Sequence, residues 1–174
     1  MPGACVLLLL VGLAGTTGRW QGQDLGRSDA SVISVSNGGP WGDWAWPEMC
    51  PKGSYASGVS FKVEPPQGVM EDDTALNGVR LHCSRGGNAD SSYTAESQSG
   101  RWGSWTEVLW CPHQGHLVGF ALRVQVPQHG FLHDEVAATN ARFACSDGQT
   151  RQEPAWGLKR DDTALNDLRL FCCQ

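Results

Sequence analysis

With 174 residues, a formal net charge of −5 and both signs interspersed, the chain lacks the basic surface that nucleic acid or an anionic membrane would require of a partner. Twenty-two glycines, nine prolines and eight tryptophans point to many turns around aromatic packing. No stretch of a dozen residues keeps a 3.6-residue period free of Gly or Pro, so helix is hard to place and an all-β chain is expected.

The first element is the apolar run Val6 to Leu13, followed by the small residues Ala14, Gly15, Thr16, Thr17 and Gly18. It is too short to span a bilayer and reads as the core of a signal peptide, although Met1 to Ala4 carries no Lys or Arg. A leader over 1–18, cut between Gly15 and Gly22, and a linker over 19–31 are expected. No other apolar run approaches membrane length, so a secreted, extracellular product without membrane insertion is anticipated. Of seven cysteines Cys5 falls inside the leader; the remaining Cys50, Cys83, Cys111, Cys145, Cys172 and Cys173 read first as disulfides in an oxidising compartment.

The sequence then repeats itself. Trp41-Gly42-Asp43-Trp44, with Trp46, Cys50 and Pro51, is echoed by Trp102-Gly103-Ser104-Trp105, with Trp110, Cys111 and Pro112, and in both blocks the first tryptophan stands nine residues before the cysteine. Tyr55 to Val63 and Leu117 to Val126 follow these blocks, alternate in polarity and read as half-buried strands. Each leads to an acidic loop and a closing strand, Asp72 to Cys83 and Asp134 to Cys145. A third closing segment, Asp161 to Cys172, follows Trp156-Gly157 by only about five residues, so the middle of that repeat is missing. A single domain over 32–174 is expected, with repeats near 32–94, 95–150 and a truncated 151–174.

The blocks Gly-Gly-Pro-Trp-Gly-Asp-Trp, Trp-Pro-Glu-Met-Cys-Pro, Asp-Asp-Thr-Ala-Leu-Asn-Gly-Val-Arg-Leu-His-Cys and the terminal Leu-Phe-Cys-Cys resemble the vitelline membrane outer layer protein 1 family from about Val32 to the C-terminus. The resemblance implies a β-prism of Greek-key sheets with pseudo-threefold internal repeats, one sheet per repeat, the third sheet here incomplete. It also implies the pairings Cys50 with Cys83 and Cys111 with Cys145, each worth roughly 3 to 4 kcal/mol through restriction of the unfolded chain. Cys172 and Cys173 lack the third-repeat partners that the family supplies, so they are expected unpaired or in an intermolecular disulfide. Bonding them to each other would be strained, because adjacent Cα atoms are about 3.8 Å apart.

The family is further associated with protective coats and secretions and with a transferase-like activity on N-acetylchito-oligosaccharides. Such chemistry needs two carboxylates about 5 to 9.5 Å apart. Asp43 and Glu107 are the candidate pair, among Glu48, Asp72, Asp73, Asp161 and Asp162. The aspartate pairs recur with the repeat and suit turns whose carboxylates accept backbone N–H groups, a structural duty. Trp41, Trp44, Trp102 and Trp105 recur in register and are expected in the core; Trp46 and Trp110 are the candidates for stacking on a sugar. Cys111 with His113 and His116, and His129 with His133, do not make a zinc site in an oxidising compartment, and no cofactor is expected. Three readings follow: a structural or glycan-binding protein of extracellular coats or fluids, with glycans or coat proteins as partners; an enzyme on N-acetylglucosamine oligomers; or a non-functional shortened form. The third has a physical motive, since losing most of one sheet uncovers the apolar faces of the other two.

Overall fold

The computed structural model describes residues 5–11, 31–39, 42–64, 76–86, 93–96, 98–124, 138–152 and 165–172, and the side chains of 5–11 are left out of that description. Every regular element among them is a strand, and every strand pairing is antiparallel. The first sheet is built on β4 (Tyr55–Val63) and β5 (Leu76–Ser84). It is edged by β6 (Tyr93–Ala95) beside β5, and by β7 (Ser104–Trp105) and β8 (Leu109–Trp110) beside β4. The second joins β9 (Leu117–Val124), β10 (Ala138–Cys145) and β11 (Thr150–Gln152), with β10 in the middle. The third sets β2 (Ser31–Ser34), β12 (Leu165–Cys172), β1 (Cys5–Val11) and β3 (Asp43–Trp44) side by side in that order.

The three closing strands share one internal phase, and their sequences explain it. In β5 the buried apolar positions are Leu76, Val79, Leu81 and Cys83; in β10 they are Ala138, Ala141, Phe143 and Cys145; in β12 they are Leu165, Leu168 and Leu170. The first step in each is three residues and the later steps are two. A strict two-residue alternation would turn the first apolar residue to solvent, so each ladder shifts register there: between Lys62 and Val63, between Ala138 and Asn140, and between Leu9 and Val11. A bulge absorbs the extra residue and returns both ends of the strand to the core side.

The inner faces converge on one core. β4 meets β9, and β9 meets β12. Phe61 and Phe143 are both fully buried, with ring centroids 6.0 Å apart, and Phe120 lies 6.2 Å from Phe143. Leu117, Leu165, Leu168 and Leu170 pack beside them, each contributing about 1.5 to 3 kcal/mol by leaving water. Three antiparallel sheets around a shared apolar centre are consistent with a β-prism.

Three expectations need adjustment. β4 is buried on both faces along most of its length, whereas a half-buried strand was expected. Before Lys62 its outer face carries Ser57, Gly58 and Ser60, and Gly58 is small enough for Val108 and Trp110 to lie directly over it. A methyl group on Gly58 would come within 2.7 Å of the Trp110 ring and 2.8 Å of Val108. Nor is each sheet drawn from one repeat. The tryptophan-block strands β7 and β8 of the second repeat complete the first sheet, while β2 and β3 of the first repeat complete the third.

The cysteines supply the third adjustment. Cys50 is bonded to Cys83 with a Cα separation of 5.6 Å, and Cys111 to Cys145 with 5.7 Å. Cys172 is also disulfide-bonded, although it was expected to be unpaired or bonded to another chain. The expectation counted only cysteines beyond the leader, but Cys5–Val11 forms a strand here and the ladder sets Cys5 opposite Cys172. Cys173 lies outside the described residues.

Candidate functional site

The tryptophan blocks place their side chains by a shared local geometry. Gly42 and Gly103 hold φ values of 89° and 84°, a left-handed conformation that costs glycine nothing, and each turns the chain directly into the short strand that follows. Trp44 and Trp105 then lie half-buried under arginines of the closing strands: the Arg169 guanidinium sits 3.7 Å from the centre of Trp44, and that of Arg80 sits 3.9 Å from Trp105. The flat guanidinium covers the ring face and keeps its edge hydrogen bonds. Arg80 uses them, donating from Nε to Glu96 Oε2 at 2.7 Å and bringing its terminal nitrogen to 2.6 Å from the same oxygen. Glu96 Oε1 accepts from Ser99 Oγ at 2.9 Å, and the Glu96 N–H donates to Glu48 Oε2 at 3.0 Å.

The tryptophans thus divide differently from the sequence expectation. Trp102 was assigned to the core yet is 62% exposed, because the turn at Gly103 swings the chain away before Trp105 enters the sheet. Trp41 lies outside the described residues. Trp46 is 71% exposed, on the segment between β3 and the Cys50 turn. Trp110 is half-buried: its ring covers Gly58 and lies 5.7 Å from the His82 ring, and its carbonyl accepts from Arg151 Nε at 2.7 Å. Packing duties therefore occupy much of Trp110, whereas Trp46 and Trp102 are largely exposed.

Asp43 is exposed on β3 of the third sheet, and Glu107 is exposed between β7 and β8 on the first. They occupy different sheets. Asp72, Asp73, Asp161 and Asp162 lie outside the described residues.

Sequence reasoning missed a buried polar cluster under Trp110. Ser60 Oγ and His82 Nε2 are 3.0 Å apart, and Ser84 Oγ donates to Ser57 Oγ at 2.7 Å. All four residues are buried. Burial, with the charge of Arg80 adding to it, pushes the His82 pKa below its ordinary value and favours the neutral ring. A serine beside a neutral histidine is a nucleophile beside a base, but Ser60 is buried, out of reach of a substrate carbonyl. Here the pair satisfies polar groups on the covered face of β4. The signal was present in the small polar residues of Tyr-Ala-Ser-Gly-Val-Ser-Phe, which mark a second packed face. Among the described residues no group of three or more His, Cys, Asp or Glu side chains is arranged to hold a metal ion, and Cys111 of the Cys-His-His cluster is oxidised.

Comparison with known proteins decides the family. The sequence model of Vitelline membrane outer layer protein I (VOMI) matches residues 31–156. This chain belongs to the VOMI family. The vitelline membrane outer layer protein 1 homolog of Homo sapiens is 50% identical over 199 aligned positions, covering 99% of this chain and 97% of that protein. Its Mus musculus counterpart is 51% identical over 171 positions, 83% of this chain and 84% of the relative. The 199 positions less the 174 residues present leave at least 25 opposite a gap in this VOMI chain.

Proposed function

We propose that this VOMI-family chain is a secreted, structural protein of an extracellular coat or secretory fluid, and that it binds N-acetylglucosamine-containing glycans through exposed tryptophan. The carrying observation is Trp46, 71% exposed four residues before the disulfide-bonded Cys50. Trp102, 62% exposed on the matching block, offers a second face. A sugar ring stacking on a fixed aromatic loses little side-chain freedom, which suits multivalent attachment in a coat. The names of the Homo sapiens and Mus musculus relatives, which refer to an outer layer, support the setting, and two disulfides suit an oxidising compartment.

Titration with N-acetylchito-oligosaccharides, followed by the tryptophan indole N–H resonances, tests the reading. Chemical-shift changes at Trp46, abolished in Trp46→Ala while the fold is unchanged, are expected. Equal binding by Trp46→Ala, Trp102→Ala and the double variant refutes it. Product analysis of the same incubations addresses transferase action: a lengthened or shortened oligosaccharide that disappears in Asp43→Asn or Glu107→Gln would replace the structural reading with an enzymatic one.

A further inference from the structure

The chain carries the pattern Trp-x-x-Trp twice, beginning at Trp41 and at Trp102. Trp41 lies outside the described residues, so the second pattern is the one whose structure bears on its use. Packing accounts for every residue of Trp102-Gly103-Ser104-Trp105 except the first. Gly103 is demanded by its φ of 84° and by the Val63 carbonyl, which a Cβ there would approach to 2.5 Å. Ser104 and Trp105 pair with Val63 and Lys62 of β4, and the Trp105 ring lies under the Arg80 guanidinium at 3.9 Å. Trp102 is instead 62% exposed.

Trp-x-x-Trp is the acceptor pattern for C-mannosylation of exported proteins, in which the first indole receives the sugar and the second is read by the transferase. A motif carries weight only in a structural context that suits it. Here the acceptor indole is the exposed one, so a hexose on it leaves the core as it is, whereas a hexose on Trp105 would have to displace Arg80. Trp46 supplies the contrast. It is 71% exposed, but Met49 stands three residues after it and the pattern is absent.

We propose that Trp102 is a C-mannosylation site, carrying one mannosyl group on indole Cδ1. Cδ1 attacks the anomeric carbon of a mannose held on a polyprenyl phosphate in the lumen of the secretory pathway. A C–C bond forms and the C–O bond to phosphate breaks. The polyprenyl phosphate leaves with the bonding pair, and loss of the Cδ1 proton to a base restores the indole, so neither oxidant nor reductant is needed. The product sets hydroxyls over an exposed apolar ring, and its C–C linkage resists the glycosidases that remove N- and O-linked sugars. The proposal rests on the secretion in the coat-protein reading and not on its glycan binding, since a hexose at Trp102 leaves Trp46 to stack on sugars.

The full chain is expressed in eukaryotic cells that make the mannosyl donor and recovered both from the medium and from the microsomal fraction. The tryptic peptide that begins at Trp102, after Arg101, is then sequenced by mass spectrometry. One added hexose localised to Trp102 is expected, retained after peptide N-glycosidase and alkaline β-elimination. It should be absent in Trp102→Phe and in cells unable to synthesise the donor. Trp105→Ala should abolish it as well, read in the microsomal fraction because the sugar is added before the chain folds. An unmodified Trp102 in chain from the medium overturns the proposal and leaves secretion standing. A hexose released by β-elimination, placed on Trp46 or Trp105 instead, or undiminished by Trp105→Ala also overturns it. A chain found only in the cytosol overturns it together with the secreted reading.

Discussion

Replacing Gly58 by alanine puts a methyl group where two side chains already stand. The added carbon would lie 2.7 Å from Trp110 Cε3, 3.1 Å from its Cδ2 and 2.8 Å from Val108 Cγ1, all closer than van der Waals contact. Gly58 lies beside the register shift between Ala56 and Gly58, in a strand pinned between β5 and β8, so the backbone has little room to give. Overpacking of this kind costs about 1 to 3 kcal/mol. For a chain of this size that lowers the thermal midpoint by roughly 2 to 4 °C per kcal/mol. Trp110→Leu removes the nearest ring atoms, so a double-mutant cycle followed by urea unfolding should show Gly58→Ala costing less by about 1 kcal/mol or more in that background. A Gly58→Ala penalty that is the same with and without the indole would refute the packing role given to Trp110 and return it to the glycan-binding candidates.

His113 and Gln114 both adopt left-handed φ, 53° and 56°, in the turn where the Gly115 N–H donates to the Pro112 carbonyl at 2.9 Å. Gln114→Gly relieves strain of about 1 to 2 kcal/mol, partly offset by the freedom glycine gains on unfolding, so a net gain of roughly 0.5 to 1 kcal/mol is expected by chemical denaturation. Arg80→Lys keeps the charge but loses the flat face over Trp105 and the paired nitrogens on Glu96; a loss of about 1 kcal/mol in unfolding free energy is expected, with a matching change in Trp105 fluorescence. Because the folded pKa of His82 is lowered from 6.5, the unfolded chain takes up the proton first. Its contribution to stability is complete above that pH and falls as the pH drops below it. Urea midpoints measured between pH 7.5 and 5 should therefore fall more steeply in the parent than in His82→Gln.

The all-β class was legible because it rests on patterns that short strands obey locally: Gly- and Pro-marked turns, alternating runs and the recurring closing segments. The bulges were written in the three-residue steps Leu76 to Val79, Ala138 to Ala141 and Leu165 to Leu168, and reading the closing strands as repeats rather than as phases concealed them. Sheet membership was not legible, since nothing local to Ser104-Trp105 says that it will pair with Lys62 and Val63 of the preceding repeat. Trp102 and Trp105 illustrate the limit at the candidate site. Both belong to one recurring block, and only the left-handed turn at Gly103 sends one outward and the other under Arg80. Val6 to Leu13 is apolar enough for a leader and apolar enough for a strand, and composition alone does not distinguish a membrane-bound core from a protein-bound one.

The exchange of tryptophan strands between neighbouring sheets spreads the effect of a substitution. Leu109–Trp110 pairs with β4 in the first sheet, while the next residue, Cys111, is bonded to Cys145 at the end of β10 in the second. The second tryptophan block therefore rivets two neighbouring sheets together, one side by backbone pairing and the other by a covalent bond, and a substitution there is felt in both.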